Sequence, residues 1–513
     1  TLQLGANDAL PISGAVILGG TNGIGNGVGN LTLGNYSQTI DSLLALSIGT
    51  AYNTITIAPE QVLTISGTNG LFVGLDAGVG SETRVKMTGG GALAVTHANA
   101  NVTLGKGQSD EAGTGTGVLD LSELGSVTLG SSIAPINELR VAYGQMSSGT
   151  LTLSNTNNLI TANTVNIGNS FLLNAGTGTM ILGSGVNTLS ANTINIGLYK
   201  GNATVKFAAQ TPGSAGSVTV TGKNKPTADI VIGSKGAMPS GAVTVGVLDL
   251  RGHEATIAAG SVTIGREDNA TGNVYTGGAM GWLYFDGGTF SMTNLVMAYK
   301  SGINTGVNAR ATATLTVSGG EFIIAEGGTF SFASQTGTGI AIATNNILGG
   351  TFRSYADIRT GASNCLSVIN LDGGTLDMTQ HAMGVGAQTV TVFNVRSGTV
   401  MNLGQFNNGA PLVKTGSGSF TLAGTNTYTG ATIISNGVVR LTGGACLPQT
   451  ADLYLASGTT CELDYTGTLS IHALYINGER KRGSFYSAAN LPDVLTGTGT
   501  LTLPYMGSMM ILR

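Results

Sequence analysis

The chain of 513 residues holds 82 Gly, 10 Pro and 9% charged residues against 41% hydrophobic ones, with a formal net charge of −4. Such a length exceeds one compact core, which divides beyond about 250–300 residues. Low charge beside ample apolar content excludes a disordered chain, and Gly with no three-residue period and little Pro excludes collagen. The 22 basic and 26 acidic residues do not cluster, the densest basic run being Gly478-Glu-Arg-Lys-Arg-Gly483, so no nucleic-acid partner is expected. No stretch reaches the roughly 18 apolar residues of a transmembrane span.

The chain opens TLQLGANDALPISGAVILGG, at Thr1 rather than Met, and reads as a product processed at its N-terminus whose targeting segment has been removed. This opening aligns in kind with VVRLTGGACLPQTADLYLASG at 438–458: a short strand, an Ala-containing turn ending in Leu-Pro, then another strand. The chain thus enters its own repeat late. Thr1, Leu2 and Leu4 are expected at an open strand edge, which invites another strand.

Repeats follow in order. GVLDLSELGSVTLG (117–130) returns with an insertion as GVLDLRGHEATIAAGSVTIG (246–265). Leu139-Arg-Val-Ala-Tyr143 returns as Leu295-Val-Met-Ala-Tyr299, and Asn158–Gly168 returns at Asn187–Gly197 with a period of 29. Gly-Gly-Thr-Phe or Gly-Gly-Thr-Leu occurs at 287–290, 327–330, 349–352 and 373–376. The unit is a short alternating strand, a Gly, a variable loop, then Gly-Thr and another alternating strand, as in TLTLS (150–154) and TLTVS (314–318). No segment sustains a helical period with caps, so almost no helix is expected.

The expected fold is all-β, a parallel β-helix of many short coils with about 22 residues per coil. Stacked coils escape the size limit on compact cores. Leu151, Leu153, Val165, Ile167, Ile181, Leu189, Ile194, Ile196, Leu315 and Val317 are expected to point inward by their alternation with polar residues. Thr and Asn cover the outer faces, and alternation puts Asp120 and Asp249 there, solvated.

Chemistry is sparse in this pattern. His97, His253, His381 and His472 have no metal-ligand spacing, and His253-Glu254 reads as surface-loop structure. Gly113, Gly115 and Gly117 mimic a phosphate loop, but no helix follows them. No metal, cofactor or catalytic residue is expected. A polysaccharide-cleaving enzyme needs carboxylates gathered on one face; here they are dispersed, with Asp110-Glu111 in one loop the nearest to a cluster. Loops at 105–117, 265–281 and 300–310, carrying Lys106, Arg266, Tyr275, Lys300 and Arg310, offer a surface for cell-surface glycans; free insertion at solenoid corners accounts for them too and is the preferred reading.

Residues 412–442, LVKTGSGSFTLAGTNTYTGATIISNGVVRLT, resemble the autotransporter-associated β-strand repeat, also called the passenger-associated transport repeat. The resemblance rests on Lys414-Thr-Gly416, Gly418, Phe420-Thr-Leu422, Gly424, Asn426-Thr-Tyr-Thr-Gly430 and Asn436-Gly437. It divides the chain into an irregular solenoid, 1–410, and a repeat-like C-terminal unit with an apolar tail, 411–513. It implies a right-handed β-helix, secreted or at a bacterial cell surface, and carries no catalytic residue. No membrane barrel of alternating strands follows Tyr505, so such a domain has been cleaved or never existed. Export implies an oxidising setting, in which Cys446 and Cys461 are expected to bridge a loop of about 16 residues, worth ~3 kcal/mol, with Cys365 left over; three buried thiols are the equal alternative.

The function expected is a secreted structural protein, a homopolymer assembled head to tail into a filament, matrix or surface layer. Uncapped ends on such a rod make an interface that need not close. The apolar tail, with Met506, Met510 and Leu512 as anchors, docks on the Thr1–Leu4 end of the next copy by strand addition. The alternative is an adhesin binding glycans through its loops; a polysaccharide-cleaving enzyme comes third.

Overall fold

A computed structural model describes residues 1–19, 27–47, 49–75, 82–106, 115–144, 146–170, 175–236, 242–268, 277–302, 309–337, 339–361, 364–386 and 388–504. The regular elements of these residues are all strands. Nearly all pair in parallel; the exceptions include Tyr475 opposite Arg480 and Phe485 opposite Thr502. The chain divides into two compact units, 1–314 with 335–341, and 315–334 with 342–513. The boundary drawn at 410/411 from the family repeat lies inside the second.

In the first unit each coil supplies three strands. Thr116–Asp120 sits between Glu82–Thr88 and Ser148–Thr152. Ser126–Leu129 sits between Ala92–Val95 and the start of Asn157–Ser170. Ile136–Tyr143 sits between Asn101–Lys106 and the end of Asn157–Ser170. The fold is a parallel β-helix. In-register stacking makes inward columns that no single coil could bury alone: Val85, Leu119, Leu151, Met180, Val205, Leu248 and Leu283 succeed one another, all buried.

Nine of the ten residues expected inside are buried. Ile181 is the exception. Met180 and Leu182 take the inward positions of Thr177–Leu182, and Ile181 faces outward, partly exposed, opposite Thr152 and Lys206. In TMIL the alternation alone did not say which apolar residue turns in. Coil length also differs from expectation. The stacked pairs Asn158–Asn187 and Asn166–Asn195 lie 29 residues apart, and Asn101–Asn137 36, because a coil in the first unit holds three strands and the loops between them. In the second unit the spacing falls to 24 at Asn346–Asn370–Asn394 and to 20 at Leu422–Thr442.

The recurring Ile-Gly and Val-Ala-Tyr or Met-Ala-Tyr motifs share one cause. Gly168, Gly197, Gly233 and Gly265 turn a corner with φ between 65° and 75°, and Ala142 and Ala298 turn the equivalent corners at 60° and 54°. A Cβ at Gly168, Gly233 or Gly265 would press into a backbone carbonyl of the next coil, so glycine is required there by space as well as by φ.

The core of the second unit is aromatic. Phe322, Phe330, Phe332 and Phe352 are buried, with Phe322 and Phe352 stacked at 5.5 Å and Phe330 tilted 5.9 Å from Phe352. Within Ile340–Ser354 the inward position between Ala343 and Ile347 is Asn345, fully buried, and neither atom of its amide has a hydrogen-bond partner among the described residues. An unpaired buried amide costs about 1–3 kcal/mol. Asn345→Val, β-branched and apolar in a strand, is expected to raise the denaturant midpoint by an equivalent of about 1–3 kcal/mol; a lower midpoint would mean the amide has a partner that only the native protein in solution supplies.

Candidate functional site

An open groove of ≈ 540 Å³ lies in the second unit. Three consecutive coils build it, through Glu326, then Tyr355, Asp357 and Arg359, then Thr379 and His381, with buried Phe330 and Ala356 behind them. Its shape follows from backbone bent against preference. Thr379 has φ 46° and Gln380 φ 72°. A β-branched residue at positive φ is a true outlier, costing on the order of 1–3 kcal/mol, and such strain gathers at binding and catalytic sites. Two contacts hold the bend: the Thr379 N–H donates to Asp377 Oδ1 at 3.1 Å, and its hydroxyl donates to the Ser354 carbonyl at 2.5 Å.

That hydroxyl fixes the state of His381. Its proton goes to Ser354, so at 3.1 Å the His381 Nδ1 must be the donor and Thr379 Oγ1 the acceptor. In the neutral ring His381 Nε2 then carries the lone pair, and it has no partner among the described residues. Asp357 accepts from the Ala382 N–H at 3.0 Å and pairs with Arg359 at 3.3 Å. Glu326 is exposed and makes no ion pair among the described residues. Spacing gave no sign of this groove, because its residues lie in three separate repeats.

The structure relocates several residues singled out in the sequence. Lys300, offered as part of a projecting loop, is fully buried, and its Nζ lies 2.7 Å from the carboxylate of Glu267, also buried. The register Glu267–Lys300 puts them in successive coils. Lys235, one coil earlier, donates to the Gly277 carbonyl at 2.6 Å, and Lys200 is buried nearby. Burial lowers Lys200 and, outweighing the pull of Glu267, brings Lys235 down to about 8; burial raises Glu267 against the opposing pull of Lys300 and Lys235. Arg266 does face outward, paired with Asp268 at 2.5 Å and lying over Tyr299 at 5.2 Å. Lys106 and Arg310 are half-buried strand residues. Asp110, Glu111, Gly113 and Tyr275 lie outside the described residues.

His253 is not surface loop. It is buried and stacked on Phe207 at 3.7 Å, with Nε2 2.6 Å from the Ala209 carbonyl. Asp249 is on the outer side of its strand but is not solvated: Arg251 covers it at 2.6 Å, and although burial pushes its carboxyl up, the Arg251 hydrogen bonds hold it below the usual range. Asp120 stays partly exposed, 4.0 Å from Lys86. Cys446 and Cys461 are buried free thiols, so the expected bridge is absent. Cys461 is an inward strand residue between Val439 and Leu495, serving as core; burial raises both thiols, Cys446 to about 12. Leu4 is buried, and its N–H already donates to the Thr32 carbonyl at 3.0 Å. Thr1 and Leu2 are exposed. Met506, Met510 and Leu512 lie outside the described residues. Among the described residues no three His, Cys, Asp or Glu gather as a metal site, and no helix is long and apolar enough to cross a membrane.

Comparison with known proteins adds one assignment. Residues 412–441 match the passenger-associated-transport-repeat family. No curated protein and no solved structure matches the chain. A repeat of this family implies a secreted or surface location.

Its signature residues are staples between coils. Lys414 is fully buried, and its ammonium donates to the carbonyls of Gly416 and of Asn436, one coil on; burial lowers its pKa. Asn426 accepts from the Leu403 N–H at 2.8 Å and donates to the Ala423 and Cys446 carbonyls at 3.0 and 2.7 Å, so one amide joins three coils. Tyr428 is fully buried, 2.7 Å from the Thr432 hydroxyl. A Cβ at Gly430 would press on the Ala410 carbonyl.

Proposed function

We propose that this protein is an extracellular structural solenoid, a passenger whose coils assemble into a larger surface structure. The observation that carries this reading is the stack itself: inward columns such as Val85, Leu119, Leu151 and Met180 run from coil to coil in register, a repeating scaffold that each added coil extends.

The outer faces agree with a structural role. Their polar groups are used within the fold: Asn346, Asn370 and Asn394 form a ladder at 2.8 Å, and Arg140 is shared between Glu138 at 2.5 Å and the ring of Tyr143 at 4.4 Å. Secretion, a filament and homopolymerisation are parts of the proposal.

Sedimentation and electron microscopy of the purified chain test it. Concentration-dependent filaments or oligomers are expected. A chain that stays monomeric at high concentration would overturn the reading.

A further inference from the structure

We propose that the groove between Glu326 and His381 binds a neutral, hydroxyl-rich glycan segment. At ≈ 540 Å³ the groove falls within the ordinary range of ligand sites, about 300–1,000 Å³. It is open to solvent rather than enclosed, which leaves room for a ligand that extends beyond it.

The lining then selects the chemistry. Tyr355 is exposed at 36% and presents an aromatic face beside polar groups. An amphipathic ring of this kind supplies contact area at little entropic cost, having two side-chain torsions. The polar groups are mostly acceptors. Glu326 and Asp357 are carboxylates, and His381 offers the Nε2 lone pair that the Thr379 hydroxyl leaves free. The one full positive charge, Arg359, is 65% exposed and already paired with Asp357 at 3.3 Å. A groove rich in acceptors wants a ligand rich in donors, and sugar hydroxyls are donors. Two carboxylates against one guanidinium leave a negative balance, which disfavours uronates, sialates and phosphates. The carboxylates do not gather as a metal site, so a bound cation is not the natural occupant.

The backbone gives an independent reason to read the groove as a site. Thr379 and Gln380, both with positive φ, are held by Asp377 and Ser354 and by Asn402, whose carbonyl accepts the Gln380 N–H at 2.6 Å. Glycine would turn this corner without strain, as it does at the corners of the first unit. The residues present instead place a hydroxyl and an imidazole in the groove, and His381 is thereby locked in the tautomer that accepts from ligand.

The test is calorimetry on the full chain with cellohexaose, laminarihexaose, maltohexaose and chitohexaose, and with trigalacturonate and hexalysine as charged probes. Binding of at least one neutral oligosaccharide is expected, changing less than about twofold between low and high salt because no net charge is paired on the ligand side. Tyr355→Ala should weaken it at least tenfold and His381→Ala about three- to tenfold, with the melting temperature of Tyr355→Ala within error of the parent. No binding by any neutral oligosaccharide, preference for trigalacturonate or hexalysine, or full binding by Tyr355→Ala would each overturn the proposal. Self-assembly is read by sedimentation and is untouched by these outcomes.

Discussion

Replacing Glu267 with Gln is expected to cost about 3–5 kcal/mol of stability at pH 7, the loss found when one partner of a buried ion pair is removed. Glu267 is the carboxylate among three buried lysines. Its oxygen lies 2.7 Å from Lys300, and its charge also supports Lys235, while Lys200 and Lys300 repel Lys235. Without it, Lys300 has the Ser301 carbonyl at 3.0 Å and Lys235 the Gly277 carbonyl at 2.6 Å, which are dipoles and not charges.

The same cluster fixes a pH dependence. Lys235 loses its proton near 8 in the folded chain and near an ordinary ~10.4 when unfolded. Between those values the unfolded state binds more protons at this group, so the Lys235 contribution to stability rises with pH, by on the order of 3 kcal/mol over the window. The lowered Lys200 acts in the same sense. Glu267 acts oppositely and elsewhere: its raised pKa makes stability fall as pH climbs from its ordinary value, ~4.3, to the folded one. Chemical denaturation at intervals from pH 7 to pH 10.5 should therefore show the deficit of Glu267→Gln shrinking, since Lys235, which it served, becomes neutral; the parent's own stability also carries the opposite trend of the raised Cys446 and Cys461 thiols, which cancels in this difference. A deficit of Glu267→Gln that stays constant from pH 8 to 10.5 would contradict the placement of Lys235.

The fold was legible because a strand has the simplest of periods. In TLTLS, Leu151 and Leu153 had to share a face, and the 29-residue recurrence of Asn158 at Asn187 is the stacking distance itself. What the pattern could not show depended on the neighbouring coil. Ile181 is apolar and faces outward because Met180 took the column. Asn345 is polar and faces inward because Ala343 and Ile347 on either side do. Lys300 looks like a loop cation until Glu267 is placed one coil away. The groove is the extreme case: Glu326, Tyr355 and His381 belong to three repeats, and only the inter-coil register brings them to one opening. Paired side chains in a β-helix are set by loop lengths between coils, and the irregular loops here hide that register from the sequence.

Asn426→Ala is expected to unravel the C-terminal coils locally while leaving the first unit intact. The substitution frees the Leu403 N–H and the Cys446 and Ala423 carbonyls, at least two of them in dry surroundings, for a loss of about 3–5 kcal/mol at about 1–3 kcal/mol per orphaned group. A stacked fold transmits little of this loss beyond neighbouring coils. Hydrogen exchange should accelerate at Leu403, at the Leu412–Lys414 and Ser419–Ala423 strands and near Cys446, with protection at Asn157–Ser170 and Val186–Tyr199 unchanged. Asn426→Asp sharpens the reading. A carboxylate still accepts from Leu403 but cannot donate, and at neutral pH it faces the Cys446 carbonyl oxygen that the amide held at 2.7 Å. Its deficit should equal or exceed that of Ala at pH 7 and shrink in acid, where the protonated group donates again. If both variants keep full protection, the Asn of the NTYTG block is not a structural staple, and its place in the repeat would have to reflect recognition during export.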